Sequence, residues 1–152
     1  LGFSRNPADR NALGPRRKPR HTLNPALALF DDGRRLAYGT MGGEGQPQTQ
    51  AALFTRYHYG GEPLAEAIAR GRWLLGRTWG DDSQDLKLEA DLFPRLAPGL
   101  RAFGHTLREV PAQSELMGHA GAVCQAADGT VIAATDPRSD GAAPVAPAGE
   151  AP

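Results

Sequence analysis

The 152-residue chain carries 17 basic and 17 acidic side chains, so its formal net charge is zero and it has no general attraction for nucleic acids or anionic membranes. No uninterrupted apolar run is long enough to span a bilayer, which argues against a membrane protein. Hydrophobic residues make up 40% of the sequence, enough for one modest core. Cys124 is the only cysteine, which excludes an intrachain disulfide and leaves cytoplasmic, periplasmic and secreted locations open.

The first part of the sequence predicts an extended segment followed by a β-hairpin. Residues 1–21 are rich in proline, arginine and asparagine and predict an extended surface segment. Residues 22–30 and 34–38 predict two strands joined at Asp31-Asp32-Gly33. We expect this hairpin to place the start of its first strand at one end and the glycine-rich run that follows it at the other.

A glycine-rich turn between this hairpin and a helix is the part of the sequence best suited to chemistry. It runs from Gly39 through Gly42 and Gly43 to Gln50, and Pro47 occupies a favoured first helical position. Backbone N–H groups of residues without side chains can approach a substrate closely, and the start of a helix adds positive potential. Such donors suit an oxyanion. A phosphate site or a structural corner also fits these residues, although neither a P-loop nor a dinucleotide spacing is present.

The rest of the sequence predicts further helices and strands. One helix is expected from Pro47 to about His58, closed by Gly60-Gly61, and a second from about Pro63 to Leu74. Downstream we expect a strand with alternating faces, a helix interrupted near Pro98-Gly99, an edge strand, and a hairpin through Asp128-Gly129. These elements are expected, in that order, at residues 86–89, 91–103, 106–110, and 119–126 with 130–135.

Four segments occur in an order that is similar to one known family. They are Phe3-Ser4 leading to residues 11–15 and 18–25, then residues 39–43, then residues 67–73, and last residues 134–138 with the sequence Ala-Thr-Asp-Pro-Arg. Together they resemble the C-terminal part of the small subunit of the gamma-glutamyltransferase family. The resemblance covers nearly all of residues 1–141, and the ordered set is far more specific than any one motif.

The resemblance implies an α+β fold, the αββα sandwich of the N-terminal-nucleophile (Ntn) hydrolases, of which this chain supplies the C-terminal portion. Residues 1–143 would form that portion, and residues 144–152, rich in alanine and proline, a flexible tail. In the family a precursor cuts itself, and the new terminal threonine becomes the nucleophile. Because that threonine lies upstream of the matched segment, we expect a fragment whose partners are the large subunit and the upstream part of the small subunit.

The resemblance also implies a site. Gly42 and Gly43 match the paired glycines whose N–H groups stabilise the tetrahedral oxyanion, and they are the predicted catalytic residues. His21 and Thr22 fall where typical members have two serines that bind the carboxylate of the gamma-glutamyl group. Thr22 keeps a hydroxyl, and the imidazole of His21 can still donate a hydrogen bond. Gly2 replaces an acidic residue that binds the substrate α-amino group, so an acyl donor without that group is expected.

Two functions are compatible with these residues. The first is an amidohydrolase or acyltransferase acting on gamma-glutamyl or related acyl amides. Gly2 favours the hydrolases and cephalosporin acylases of the family, and the short segment 5–13 suggests an open groove without a lid loop. The second is a catalytically silent binding or assembly protein, since Gly2 and His21 depart from the family pattern. No cofactor is expected, and the four histidines and the acidic residues 81–85 lack the spacing of a metal site. Within Asp136-Pro137-Arg138, the two charged side chains are expected to pair inside the fold.

Overall fold

The computed structural model describes residues 3–18, 23–78 and 82–144; Gly2, His21, Thr22 and all but the first residue of the predicted tail lie outside these ranges. None of the helices in the described ranges combines the length and the apolar composition needed to cross a bilayer. The strands are β1 (Ala26–Leu29), β2 (Arg35–Met41), β3 (Trp73–Leu75), β4 (Leu86–Glu89), β5 (Leu107–Val110), β6 (His119–Gln125) and β7 (Val131–Thr135). The helices are α1 (Gln46–Phe54), α2 (Leu64–Ala69) and α3 (Phe93–Ala102), with 3₁₀ turns at Gly43–Gly45 and Glu115–Met117 and a π-helical turn at Thr55–Tyr59.

Two β-hairpins combine into a four-stranded antiparallel sheet of order β1-β2-β6-β7. The first hairpin turns at Asp31-Asp32-Gly33 and the second at Asp128-Gly129, as predicted. In the central strand pair, Leu36 lies opposite Cys124. Both predicted hairpins are therefore confirmed, and pairing of β2 with β6 joins segments that lie far apart in the sequence.

The first hairpin corrects one expectation about the site. Ala26 pairs with Tyr38, and the side chain of Gln50 on α1 donates to the carbonyl and the side-chain oxygen of Asn24 at 2.7 and 3.0 Å. An antiparallel hairpin brings the start of its first strand beside the end of its second. The start of β1 therefore lies at the same end of the sheet as the glycine turn, not at the opposite end.

The main core lies between the four-stranded sheet and helices α1 and α2. Alternation along β2 and β6 directs every second side chain toward these helices. The rings of Phe30 and Phe54 stack at the edge of this layer with their centroids 6.2 Å apart. Cys124 is buried here and packs as a small apolar side chain. The buried members of the core are Leu36, Leu53, Leu64, Ile68, Ala120, Ala122 and Cys124.

The opposite face of this sheet is uncovered in the described part of the chain. Leu27 and Leu29 on β1 are 69% and 71% exposed, and Val123 on β6 is 46% exposed. A shallow depression of about 520 Å³ lies at the centre of the sheet, and small residues such as Gly39 and Gly121 line it. Exposed apolar surface of this kind is typical of a face that a partner segment covers. The described residues thus form an α+β fragment, and the complete αββα sandwich remains a prediction for the whole protein.

A smaller sheet has the strand order β3-β4-β5. Strand β4 pairs with β3 in antiparallel orientation and with β5 in parallel orientation, and β5 lies at an edge of this sheet. The predicted edge strand is confirmed. In β4, however, all four residues are buried instead of alternating in exposure. The Lys87 ammonium donates to the carbonyl of Gly76 at 2.6 Å, and Glu89 pairs with Arg138. Both charged side chains can be buried because each has a partner.

The helix predicted from Pro63 to Leu74 is too long, because α2 ends at Ala69. Arg70 has an extended backbone with ψ 152°, and a β-carbon at Gly71 would overlap the Asp91 carboxylate. Arg72 then enters a buried charge network, and the chain continues as β3. These contacts form between segments distant in sequence and outweigh the local helix propensity.

The helix predicted over residues 91–103 is continuous, not interrupted near Pro98-Gly99. Pro98 removes one N–H, whose partner would have been the carbonyl of Pro94. Both prolines lie on the exposed side of α3, so that carbonyl can be hydrated. Ala97 is buried on the opposite side and anchors the helix.

Candidate functional site

The glycine turn lies between the end of β2 at Met41 and the start of α1. Gly42 has φ 145° and ψ 19°, and Gly43 has φ 54°, both conformations that favour glycine. The carbonyl of Gly42 accepts the N–H of Gly45 at 2.9 Å, which closes the 3₁₀ turn. Pro47 lies in the first turn of α1. The predicted order of strand, glycine turn and helix is confirmed.

The front of the turn is open. Within the described ranges, neither Gly42 nor Gly43 donates a hydrogen bond through its N–H, and no heavy atom outside Gly43 and its chain neighbours lies within 4 Å of the position that a β-carbon at Gly43 would occupy. N–H groups that precede a helix carry partial positive charge. Two such donors can bind an anionic oxygen, which is the role predicted for these glycines.

The back of the turn is packed against the segment before β6. A β-carbon at Gly42 would lie 3.3 Å from the Cα of Gly118, and one at Gly118 would overlap the carbonyl oxygen of Met41. Gly118 also has φ 78°, so both the space and the backbone conformation require glycine there. Gly118 was not predicted as part of the site, because a single glycine before a strand carries no distinctive signal.

A network of four buried charges lies behind this packing. Arg72 pairs with Asp136 at 2.6 Å, Arg138 pairs with Asp136 at 3.0 Å, and Arg138 also pairs with Glu89. Each of these side chains is at most 2% exposed. The predicted pairing of Asp136 with Arg138 inside the fold is confirmed. Two positive and two negative charges balance each other, which is what permits their burial.

Opposing effects set the pKa values in this network. Burial acts to raise the pKa of Asp136, but the N–H of Ala120, which donates to this carboxylate at 2.7 Å, and the charge of Arg72 outweigh burial and hold the pKa below its ordinary value. Burial lowers the pKa of Arg72, whereas for Arg138 the bond and charge of Glu89 overcome burial and raise it. Asp136 is therefore ionised near neutral pH.

Neither Arg72 nor Glu89 was predicted from the sequence to belong to the site. Glu89 is the last residue of the strand β4, and a carboxylate at the end of a buried strand requires a partner. That requirement is the one local signal that could have indicated the network. Its partner Arg138 cannot be identified locally, because the two residues come together only in the folded chain.

The predicted substrate residues cannot be placed beside the turn, since His21 and Thr22 lie outside the described residues. The contact closest to them along the chain, among the described residues, is the hydrogen bond that Gln50 donates to Asn24. This bond lies at the end of the sheet where the glycine turn lies. Among the described residues, no group of three or more His, Cys, Asp and Glu side chains could hold a metal ion.

Comparison with known proteins matches residues 1–146 to the family model described as Gamma-glutamyltranspeptidase. The oxamate amidohydrolase proenzyme of Klebsiella pneumoniae subsp. pneumoniae is 55% identical over 141 residues, which are 93% of this chain and 27% of that protein. The glutathione hydrolase-like YwrD proenzyme of Bacillus subtilis is 41% identical over 134 residues, 88% of this chain and 25% of that protein. The chain thus spans about a quarter of the length of both relatives.

Solved structures share the fold. Cephalosporin acylase from Bacillus halodurans matches with a TM-score of 0.73 and 24% identity, over 91% of this chain and 25% of that one. A gamma-glutamyltranspeptidase from Pseudomonas nitroreducens matches with a TM-score of 0.71 and 24% identity, over 91% of this chain and 69% of that one. The family predicted from the sequence is confirmed, since its model matches nearly the whole sequence: the chain belongs to the gamma-glutamyltranspeptidase family.

Proposed function

We propose that the full-length protein is an amidohydrolase or acyltransferase in which Gly42 and Gly43 stabilise the oxyanion. The observation that supports this most is the pair of N–H groups before α1, which have no partner among the described residues, beside the open space at the β-carbon position of Gly43. Donors that are fixed before the reaction begins stabilise the developing charge without reorganisation. Removal of one such donor typically lowers kcat by about 10²- to 10³-fold.

The nucleophile of this proposal is an N-terminal threonine upstream of Leu1. The α-amino group takes the proton of the threonine hydroxyl, the oxygen attacks the amide carbonyl carbon, and an electron pair moves onto the carbonyl oxygen beside Gly42 and Gly43. Collapse of this intermediate breaks the C–N bond, and the nitrogen takes the proton and leaves as ammonia or an amine. Water then hydrolyses the ester, which releases the acid and restores the threonine; in a transfer reaction, an amine takes the place of water.

The proposed acyl donor is a small amide that carries a carboxylate and lacks an α-amino group. Gly2 offers no carboxylate to an ammonium group, whereas His21 and Thr22 keep donors for a carboxylate. The relative that is 55% identical is named for such an amide. Oxamate has a carboxylate next to its amide carbonyl and no amino group, and its hydrolysis yields ammonia and oxalate.

The proposed partner is the remainder of the same precursor, as a large subunit and the upstream part of the small subunit. Both curated relatives are named proenzymes, and the chain spans 27% and 25% of them. The uncovered sheet face around Leu27 and Val123 supports such a partner, since apolar patches of this kind mark interaction surfaces.

Ammonia release by the purified full-length protein tests this proposal. We expect faster release from oxamate than from a gamma-glutamyl amide, because Gly2 cannot bind the ammonium group of the latter. Mass spectrometry should show two pieces, the smaller beginning with threonine. One intact chain that releases no ammonia from either amide would contradict the proposal and favour the silent binding or assembly protein.

A further inference from the structure

Two side chains donate hydrogen bonds to the backbone segment behind the glycine turn. The buried hydroxyl of Thr49, on α1, donates to the carbonyl of Met117 at 3.1 Å. The guanidinium of Arg72 donates to the same carbonyl at 3.3 Å and to the carbonyl of Gly118 at 3.0 Å. We refer to Thr49, Arg72 and the Met117 and Gly118 carbonyls as the clamp.

The clamp reaches both sides of the turn. Thr49 belongs to the helix that leaves the turn, so its bond ties that helix to Met117. Gly118 packs against the strand that enters the turn, where a β-carbon would overlap the carbonyl oxygen of Met41. Gly42 lies between these two attachments. Its conformation is therefore determined by backbone contacts on either side and by direct packing on Gly118.

The buried charges hold the clamp in turn. Asp136 pairs with the Arg72 guanidinium at 2.6 Å, and the Arg72 N–H donates to the Glu89 carboxylate at 2.8 Å. Asp136 also accepts the N–H of Ala120 at 2.7 Å, two residues beyond Gly118. A satisfied network in a low-dielectric interior restricts motion of the groups it binds.

We propose that Thr49 and Arg72 are positioning residues that fix the direction of the Gly42 and Gly43 N–H groups through the Met117 and Gly118 carbonyls. This inference rests on the proposed function of the two glycines. Thr49 and Arg72 act through the backbone and not on the substrate. Misdirected donors would weaken binding of the charged transition state more than binding of the neutral amide.

The test uses Thr49→Val and Thr49→Ser in the full-length protein. Valine keeps the shape of threonine and removes the hydroxyl, so kcat for amide hydrolysis should fall about tenfold with little change in KM. Serine keeps the hydroxyl and should restore kcat. Arg72→Lys should lower kcat further, because lysine cannot reach both carbonyls in the same geometry. Arg34→Lys is the matched control, since Arg34 binds Asp32 and Tyr57 at the far end of the sheet.

Exchange of the hydrogen-bonded amides within residues 40–46, such as the Gly45 N–H that donates to Gly42, supplies a readout that does not depend on catalysis. Loss of the clamp should speed exchange about tenfold in Thr49→Val, with no change in Thr49→Ser or Arg34→Lys. A merely structural role for Thr49 would lower the melting temperature of Thr49→Val and leave kcat and this exchange at their wild-type values.

The outcomes separate the two proposals. If the wild-type protein releases ammonia but Thr49→Val changes neither kcat nor exchange, the clamp is overturned and the proposed function stands. If the wild-type protein releases no ammonia, the proposed function fails. In that case exchange alone decides the inference: faster exchange in Thr49→Val supports positioning by the clamp, and unchanged exchange overturns it.

Discussion

The two sides of the glycine turn are built differently. Behind Gly42, Gly118 packs closely against the turn and four buried charges hold the surrounding backbone. In front of Gly43, the space is open and the N–H groups have no partner among the described residues. The rigidity of the turn thus comes from contacts on one side, which leaves the other side available to a ligand.

Removal of one of the four buried charges behind the glycine turn should have the largest effect, which is a loss of folding stability. Asp136→Asn leaves Arg72 and Arg138 without their shared carboxylate, and breaking a buried ion pair in this way lowers the free energy of unfolding by about 3 to 5 kcal/mol. Denaturant unfolding of the full-length protein measures the change. Asp140→Asn is the matched control, because Asp140 is exposed and should have little effect. Equal losses in the two variants would show that the network does not stabilise the fold.

A methyl group added at Gly43, on the open side of the glycine turn, should affect catalysis more than folding stability. Gly43→Ala fills the open space where we place the oxyanion, so kcat/KM for amide hydrolysis should fall about a hundredfold. Gly61→Ala is the control: Gly61 has φ 66°, close to the 54° of Gly43, and also has open space around its β-carbon position. Both variants should lose similar stability, about 1 to 2 kcal/mol. A similar loss of kcat/KM in both would count against the site.

Lowering the pH should reduce the stability that the buried Asp136 carboxylate contributes behind the turn. The folded-state pKa of this carboxyl lies below its ordinary value of 3.8, so the unfolded chain binds more protons than the folded one in that range. The stability that Asp136 contributes is present above pH 3.8 and is lost as the pH falls through the folded-state pKa. The difference in free energy of unfolding between wild type and Asp136→Asn should therefore narrow below pH 3.8. A constant difference from about pH 5 to about pH 2 would contradict this.

The exposed ion pair in the turn should matter least. Glu44 lies within the 3₁₀ turn, and Arg77 donates to both of its carboxylate oxygens at 2.7 Å. The Arg77 and Glu44 side chains are 56% and 44% exposed, and surface pairs contribute little because water and salt screen them. Glu44→Gln should leave unfolding and kcat close to wild type. A large loss of kcat would mean that the exposed pair, and not the buried network, orients the turn.

Local signals account for the parts of the fold that the sequence predicted correctly. Asp31-Asp32-Gly33 and Asp128-Gly129 mark their hairpins by turn chemistry, and Pro47 marks the start of α1. The end of α2 at Ala69 was missed because Arg72 and Gly71 are held by residues distant in sequence. Burial of the whole of β4 was missed for the same reason.

In the candidate site, too, some residues could be predicted from the sequence and others depend on contacts between distant segments. Resemblance to a family indicated Gly42 and Gly43, and the structure gives their conformation while their catalytic role stays a prediction. Gly118, Arg72 and Thr49 could not be found from the sequence, because each acts through contacts between β6, β3 and α1 or the turns beside them. Such contacts have no local pattern.

A crystal structure of the full-length protein with a small boronic acid bound to its nucleophile tests the central claim most directly. A tetrahedral boronate carries its oxygen where the oxyanion of the reaction would lie. We predict one boronate oxygen at about 2.7 to 3.1 Å from the backbone nitrogens of both Gly42 and Gly43. A boronate whose oxygens are bound by other groups, with neither glycine nitrogen within hydrogen-bond distance, would contradict the account.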